Sequence, residues 1–296
     1  MEQIFANFEM SFDETLRQKT LDKVNAQIDD LSSNVDTLKF LFSCIDLTSL
    51  NTDDSAFTIK EFCEKVNGFS AKYPQMPQVA AVCVYPVFSP VLKNSLKANG
   101  VNKAVVAAGF PSSQTFTDIK VAETRKVVDF GVDEVDVVIS VGEFLDGNYE
   151  FILEEVKMVK DAMGAAHLKV ILETGLLPDM DAIWKASLLS MEGGADFIKT
   201  STGKVAVSAT PEAAFVMLHA IKAFEDKTGK KIGFKPAGGI VNTRDALVYY
   251  SLVKEILGDG WLNNRLFRIG ASRLSNHLLT DIEILEKGTS NGIRYF

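Results

Sequence analysis

From residue 44 onward the apolar residues come in short unbroken runs. Each run is followed by a loop of small and polar residues, then by a longer stretch with apolar positions at helical spacing. The runs cover 44–47, 79–85, 104–108, 134–139, 168–173, 196–200, 232–235 and 266–269. They are continuous in Val, Ile and Ala rather than alternating with polar residues, the pattern of parallel strands covered on both faces. Helical stretches follow near 58–67, 87–98, 114–130, 149–163, 179–191, 211–226, 243–257 and 272–285. Eight strand–helix units predict an α/β fold, a (β/α)8 TIM barrel. A doubly wound sheet shares the local pattern and is the competing fold, but it ordinarily has fewer strands.

Ahead of the first run, Leu16, Leu21, Val24, Ile28 and Leu31 recur at helical spacing, and Ser32-Ser33-Asn34 ends the pattern. A second short helix is expected over 35–42. Residues 1–42 therefore read as an N-terminal helical extension packed on the barrel, closing one end of it or lying at a dimer contact. Residues 43–296 read as one barrel domain with its C-terminal tail, because no linker rich in Pro, Ser or Gly divides them.

Hydrophobic residues make up 47% of the 296, enough for a large core. The net charge of −8 argues against a broad nucleic-acid or membrane surface. The many phenylalanines are scattered at core spacing and form no stacking platform for bases. No apolar run reaches membrane-spanning length, and the first ten residues lack the basic start and apolar stretch of a signal peptide. Cys44, Cys63 and Cys83 form no C-x-x-C pair, which fits free thiols in a reducing compartment and a cytoplasmic location. His167, His219 and His277 lie far apart, so no metal site and no cofactor are expected.

In a (β/α)8 barrel the chemistry sits at the C-terminal ends of the strands. The polar residues there are Asp46 and Thr48 on run one, Asp136 on run four, Lys169 and Glu173 on run five, Lys199 on run six and Lys235 on run seven. A charge inside an apolar strand is often half of a structural ion pair. That is the better reading for Lys169, which opens its strand, and Glu173 could be the same. Two lysines and an aspartate on runs four, six and seven can converge on one volume. Lysine is a nucleophile only when neutral, and burial and a nearby cation both favour that state. Lys235 supplies the cation beside Lys199, the neutral amine attacks a carbonyl to form a Schiff base, and Asp136 moves the protons. Gly238-Gly239 and Gly270-Ala271-Ser272 occupy the loops where barrels often hold phosphate, and Gly203 and Lys204 can complete the cradle. Cys44 and Cys83 are most simply core thiols, although Cys83 lies near enough to the strand end to meet an aldehyde.

The blocks Asp46-Leu47-Thr48, A-A-V-C-V-Y-P at 80–86, D-E-V-D-V-V at 133–138, F-I-K-T-S-T-G-K at 197–204, G-F-K-P-A-G-G at 233–239 and F-R-I-G-A-S at 267–272 resemble the deoxyribose-phosphate aldolase family. They span most of the barrel, and the two lysine blocks together are highly specific. The resemblance implies a metal-independent class I aldolase, an aldehyde-lyase. Its reaction is the reversible retro-aldol cleavage of 2-deoxy-D-ribose 5-phosphate to D-glyceraldehyde 3-phosphate and acetaldehyde. It implies Lys199 as the Schiff-base lysine, Lys235 as the lysine that perturbs it and Asp136 as proton donor and acceptor. It places Asp46 and Thr48 on the sugar side, with Thr202, Gly203, Lys204, Gly238, Gly239 and Ser272 also binding substrate, mostly around the phosphate. The partner it implies is a small phosphorylated sugar, and a homodimer is expected.

Three departures stand out. Arg273 replaces a second small hydroxyl residue. The chain ends Tyr295-Phe296, where some members end in a tyrosine that reaches the site. The first 40 or so residues exceed the lead of compact bacterial members, and the A-A-V-C-V-Y-P and A-A-G-F-P blocks look closer to the longer, eukaryote-like branch. A transaldolase-like enzyme would need other loop residues. A catalytically silent phosphate-binding barrel would have lost Lys199, Lys235 or Asp136, all of which are present.

Overall fold

The computed structural model describes residues 2–296. Eight strands follow one another: β1 (Ile45–Thr48), β2 (Ala81–Val84), β3 (Asn102–Ala107), β4 (Glu134–Val138), β5 (His167–Ile171), β6 (Phe197–Lys199), β7 (Gly233–Lys235) and β8 (Ile269–Ala271). Each pairs in parallel with the next from β1 to β7, and β8 pairs with β1. The seam between β7 and β8 is closed by Phe234 N–H to Leu266 O at 2.8 Å, Arg268 N–H to Phe234 O at 3.1 Å and Gly270 N–H to Pro236 O at 2.9 Å. Closure removes the sheet edges that a doubly wound sheet would leave. The eighth strand lies later than the apolar run 266–269 suggests, because pairing with Ile45, Asp46 and Leu47 carries it through Gly270 to Ala271.

The helices are α1 (Glu2–Ala6), α2 (Glu14–Ser32), α3 (Val35–Ser43), α4 (Ala56–Lys72), α5 (Ser89–Ser95), α6 (Thr117–Asp129), α7 (Val141–Leu145), α8 (Tyr149–Asp161), α9 (Met180–Glu192), α10 (Pro211–Thr228), α11 (Thr243–Leu257) and α12 (Leu274–Lys287). Several starts carry the side-chain caps that satisfy free N–H groups. Ser55 and Thr58 form a capping box on α4, Asn242 and Asp245 form another on α11, and Thr210 caps α10 just before Pro211. The α2 helix runs along α10 and α11 on the outside of the barrel and buries Leu21, Val24 and Ile28. Lys23–Glu255 and Arg244–Asp29 pairs, each at 2.6 Å, flank that contact. The α3 helix packs on α11 and α12 and ends directly at β1.

Strand register sorts the side chains inside the barrel into two halves. Ala81, Cys83, Ala104 and Val106 of β2 and β3, with Leu50, make a small apolar cluster. The inward positions of the other strands carry Asp46, Glu134, Asp136, Lys169, Phe197, Lys199 and Lys235, joined by Arg268 just before β8. A barrel interior is ordinarily packed with branched apolar side chains, so this charged half is a departure from ordinary packing.

Candidate active site

Lys199 and Lys235 are register partners on β6 and β7. Both side-chain nitrogens donate to Asp136 Oδ2 on β4, each at 2.7 Å. Lys235 also reaches Asp46 Oδ2 at 2.5 Å. Lys169 lies between Glu134, which it contacts closely, and Asp46 Oδ2 and Asp136 Oδ1, both at 3.3 Å. Arg268 donates to Asp46 Oδ1 at 2.7 Å and to both Glu134 oxygens at 2.8 and 3.2 Å. Asn102 completes the Glu134 shell at 2.7 Å. All of these charged side chains are buried. Buried charges survive only when paired and hydrogen-bonded, and each here is.

The electrostatics separate the two lysines. Burial is the largest influence on Lys199 and lowers its amine below the ordinary lysine value. Asp136 opposes that effect and the Lys235 charge adds to it. Burial also disfavours the charge on Lys235, but Asp136 and Asp46 together outweigh it and hold the ammonium above the ordinary value. Burial alone would raise Asp136, yet Lys169, Lys199 and Lys235 hold its carboxyl well below the usual range. The site therefore contains an amine tuned toward neutrality, a fixed ammonium and a fixed carboxylate within hydrogen-bond reach. That set can form an imine and shuttle protons.

Above this floor opens a cleft of about 300 Å³ at the C-terminal ends of the strands. Eight of the expected site residues line it: Thr48, Lys199, Thr202, Gly203, Lys204, Gly238, Gly239 and Ser272. Asp136, Lys235 and Asp46 lie beneath. Asp46 does not face the cleft, because Lys235, Lys169 and Arg268 surround its carboxylate. Gly203, Gly238 and Gly239 all have positive φ, near +80°, which glycine adopts without strain. A Cβ on Gly238 would meet Ser208 at 2.6 Å and the Gly203 Cα at 3.1 Å, so the two loops touch backbone to backbone. Arg273 is exposed and does not line the cleft.

Residues outside the expected site set support it or lie apart from it. Glu173, held at φ 54°, accepts from Thr202 N–H at 3.1 Å and Thr202 Oγ1 at 2.6 Å, fixing the loop after β6. Gly175 allows that loop to approach, since a Cβ there would lie 2.0 Å from Val207 O. Glu134 and Arg268 are the buried ion-pair partners beneath the cleft. Their signal was parity: Glu134 is two residues before Asp136, and Arg268 two before Gly270. Cys83 is fully buried, and burial pushes its thiol up to about 11. Tyr295 packs outside the barrel against Phe69 and Tyr73, with its hydroxyl on Lys65 O at 2.7 Å. Among the described residues no group of His, Cys, Asp and Glu could hold a metal ion.

Comparison with known proteins gives the family and the fold. Residues 40–255 match the family described as DeoC/LacD family aldolase. The human deoxyribose-phosphate aldolase is 47% identical over 254 residues, covering 81% of this chain and 77% of that one. A solved putative deoxyribose-phosphate aldolase from Toxoplasma gondii superposes with a TM-score of 0.73 at 22% identity, covering 87% of this chain and 96% of its own. The deoxyribose phosphate aldolase of Aeropyrum pernix, described as a unique tetrameric structure, gives a TM-score of 0.66 at 24% identity, with 90% and 98% covered.

Proposed function

The chain belongs to the DeoC/LacD family of aldolases, and on that premise we propose that Lys199 carries the Schiff base of its reaction. It is a class I, aldehyde-lyase type deoxyribose-phosphate aldolase, which cleaves 2-deoxy-D-ribose 5-phosphate reversibly to D-glyceraldehyde 3-phosphate and acetaldehyde. The observation that carries the assignment of roles is the Asp136 oxygen shared by Lys199 and Lys235 at the floor of the cleft.

The neutral Lys199 amine adds to the aldehyde carbon of the open-chain sugar, and the carbonyl oxygen takes up a proton. Loss of water leaves the imine. Once protonated, the imine draws in the electron pair of the C2–C3 bond while the C3 hydroxyl gives up its proton, releasing glyceraldehyde 3-phosphate. The remaining enamine takes a proton at C2, and water then frees acetaldehyde and the amine. Asp136 accepts and returns these protons, and the ammonium of Lys235 replenishes them through the shared oxygen. Asp46 acts through Lys235, which it holds at 2.5 Å. Thr48 and Thr202 face the sugar. The backbone N–H groups of Gly203, Gly238 and Gly239, with Ser272 and Lys204, receive the phosphate.

A homodimer in the cytoplasm completes the reading. The family resemblance supports the first, and three buried free cysteines support the second. No helix among the described residues is long and apolar enough to cross a membrane. The test is trapping: acetaldehyde and cyanoborohydride are added, and the adduct is mapped by mass spectrometry. An adduct on Lys199 that vanishes in Lys199→Leu is expected. No adduct on folded protein would overturn the assignment, and an adduct on Lys235 would exchange the roles of the two lysines.

A further inference from the structure

The barrel interior holds three carboxylates, Asp46, Glu134 and Asp136, against four cationic side chains, Lys169, Lys199, Lys235 and Arg268. With all seven ionised the set carries one surplus positive charge, and with Lys199 neutral it balances. A surplus buried charge is costly in a low-dielectric interior, so one cation should be the first to give up its proton. The contacts single out which. Arg268 cannot be deprotonated, and its fork engages Asp46 Oδ1 and both oxygens of Glu134. Lys169 has three carboxylate neighbours and Lys235 has two. Lys199 has one, and shares that oxygen with Lys235.

We propose that Arg268 is a positioning residue for the reaction: as the fourth buried cation, occupying Asp46 and Glu134, it leaves Lys199 as the amine without a counter-charge of its own. This rests on the Schiff-base role proposed for Lys199. Arg268 enters the barrel ahead of Gly270, beneath the cleft, and touches neither Lys199 nor Asp136. Its influence passes through Asp46 to Lys235 and through Glu134 to Lys169. The groups acting on Lys199 are Asp136 from β4, Lys235 from β7 and Cys83 from β2. Those facing Arg268 are Asp46 from β1, Glu134 from β4 and the buried Cys44 thiol just before β1, with Lys169 of β5 on the far side of Glu134. The guanidinium and the Lys169 ammonium both lie 5.8 Å from the Phe197 ring centroid, so an aromatic ring rather than a carboxylate fills the rest of that layer.

The experiment follows the pH dependence of acetaldehyde trapping by cyanoborohydride on Lys199 in the full chain, alongside kcat and KM for the sugar phosphate. Arg268→Met removes a cation, and the pH of half-maximal trapping should rise by on the order of one unit, the effect of a unit charge removed from roughly 10 Å away at an effective dielectric of about 20. Glu134→Gln removes an anion and should move it down by a similar amount. The double variant, balanced as the native set is, should return toward the native profile. Arg268→Lys keeps the charge and should keep the profile, while kcat falls because the bidentate fork is lost. A merely structural role would lower kcat in every variant and leave the profile in place, and that result overturns the proposal. If Arg268→Met does not fold, the Glu134→Gln shift decides alone. No Lys199 adduct in the native chain would instead sink the Schiff-base role, so the two failures are distinguishable.

Discussion

Lys199 and Lys235 donate to one and the same carboxylate oxygen, Asp136 Oδ2, each at 2.7 Å. The two amines are register partners on adjacent strands, yet they are not equivalent. Lys235 has a second carboxylate, Asp46, at 2.5 Å, whereas Lys199 has Asp136 alone and opens into the cleft. A difference of one carboxylate separates the two: Lys235 is held above the ordinary lysine value and Lys199 is lowered below it, with Asp136 between them.

Lys235→Met tests that division. Loss of the neighbouring ammonium removes an influence that lowers the Lys199 amine, so Lys199 should stay protonated to higher pH. Turnover should fall by about 10²–10⁴-fold with loss of the proton source. Trapping of acetaldehyde on Lys199 should persist but require a more alkaline solution. Trapping that disappears at every pH would make Lys235, not Lys199, the nucleophile.

Asp136→Asn should cost both activity and stability. The amide keeps the shape of the carboxylate but cannot accept a proton, so kcat should fall by about 10²–10⁴-fold. It also takes a counter-charge from Lys169, Lys199 and Lys235, and breaking a buried pair in this way costs about 3–5 kcal/mol. Amines that have lost their partner are pushed down in the folded state. The unfolded chain then binds more protons, and stability rises with pH. Thermal melts should show the deficit against the native chain shrinking from neutral toward alkaline pH. A deficit independent of pH would mean that the lysines do not depend on Asp136.

The eight-unit pattern was legible because parallel strands buried on both faces are written as continuous apolar runs, and Lys199, Lys235 and Asp136 stood out as charges within them. The layer below was harder to read. Glu134 and Arg268 face inward by the same two-residue parity as Asp136 and Gly270, but their partners come from strands distant in sequence, and parity does not name partners. Its place at the opening of a strand makes Lys169 read as half of a structural pair. It is ion-paired, but to three carboxylates at the centre of the barrel rather than to one at a strand end. D-L-T places Asp46 at a strand end but does not name its neighbour, and in the structure its carboxylate lies under Lys235. The closing strand was placed early because a Gly-Ala pair reads as a turn until β1 pairs with it.

The tuned amine should carry a stability cost that its removal reveals. The Lys199 amine is lowered by burial in the folded state, so the unfolded chain binds more protons between that lowered value and about pH 10.4, and the penalty on folding grows as pH falls through this window. Lys199→Met removes that penalty and leaves Asp136 paired with Lys169 and Lys235. The variant should be inactive yet melt a few degrees higher at pH 7, with the advantage vanishing as pH approaches 10. The lowered carboxyls work in the opposite sense. Asp46, Glu134 and Asp136 contribute stability that is complete above about pH 4.5 and is lost as pH falls through their depressed folded values, so both proteins should weaken in acid. A melting temperature for Lys199→Met below that of the native chain at pH 7 would contradict the neutral-amine reading.

The phosphate end of the cleft can be separated from the amine end by one methyl group. Gly238 has φ +83°, and a Cβ there would lie 2.6 Å from Ser208 and 3.1 Å from the Gly203 Cα. Gly238→Ala must therefore push the loop after β6 away from the loop after β7 and leave a strained left-handed residue, at a cost of about 1–2 kcal/mol. Both loops line the cleft where the phosphate is proposed to bind, so KM for the sugar phosphate should rise by about tenfold, the equivalent of some 1.4 kcal/mol. Acetaldehyde carries no phosphate, and its trapping on Lys199 should proceed at the native rate. If trapping instead falls by the same factor as kcat/KM, the displacement has travelled down β7 to Lys235 and the two ends of the cleft act as one rigid unit.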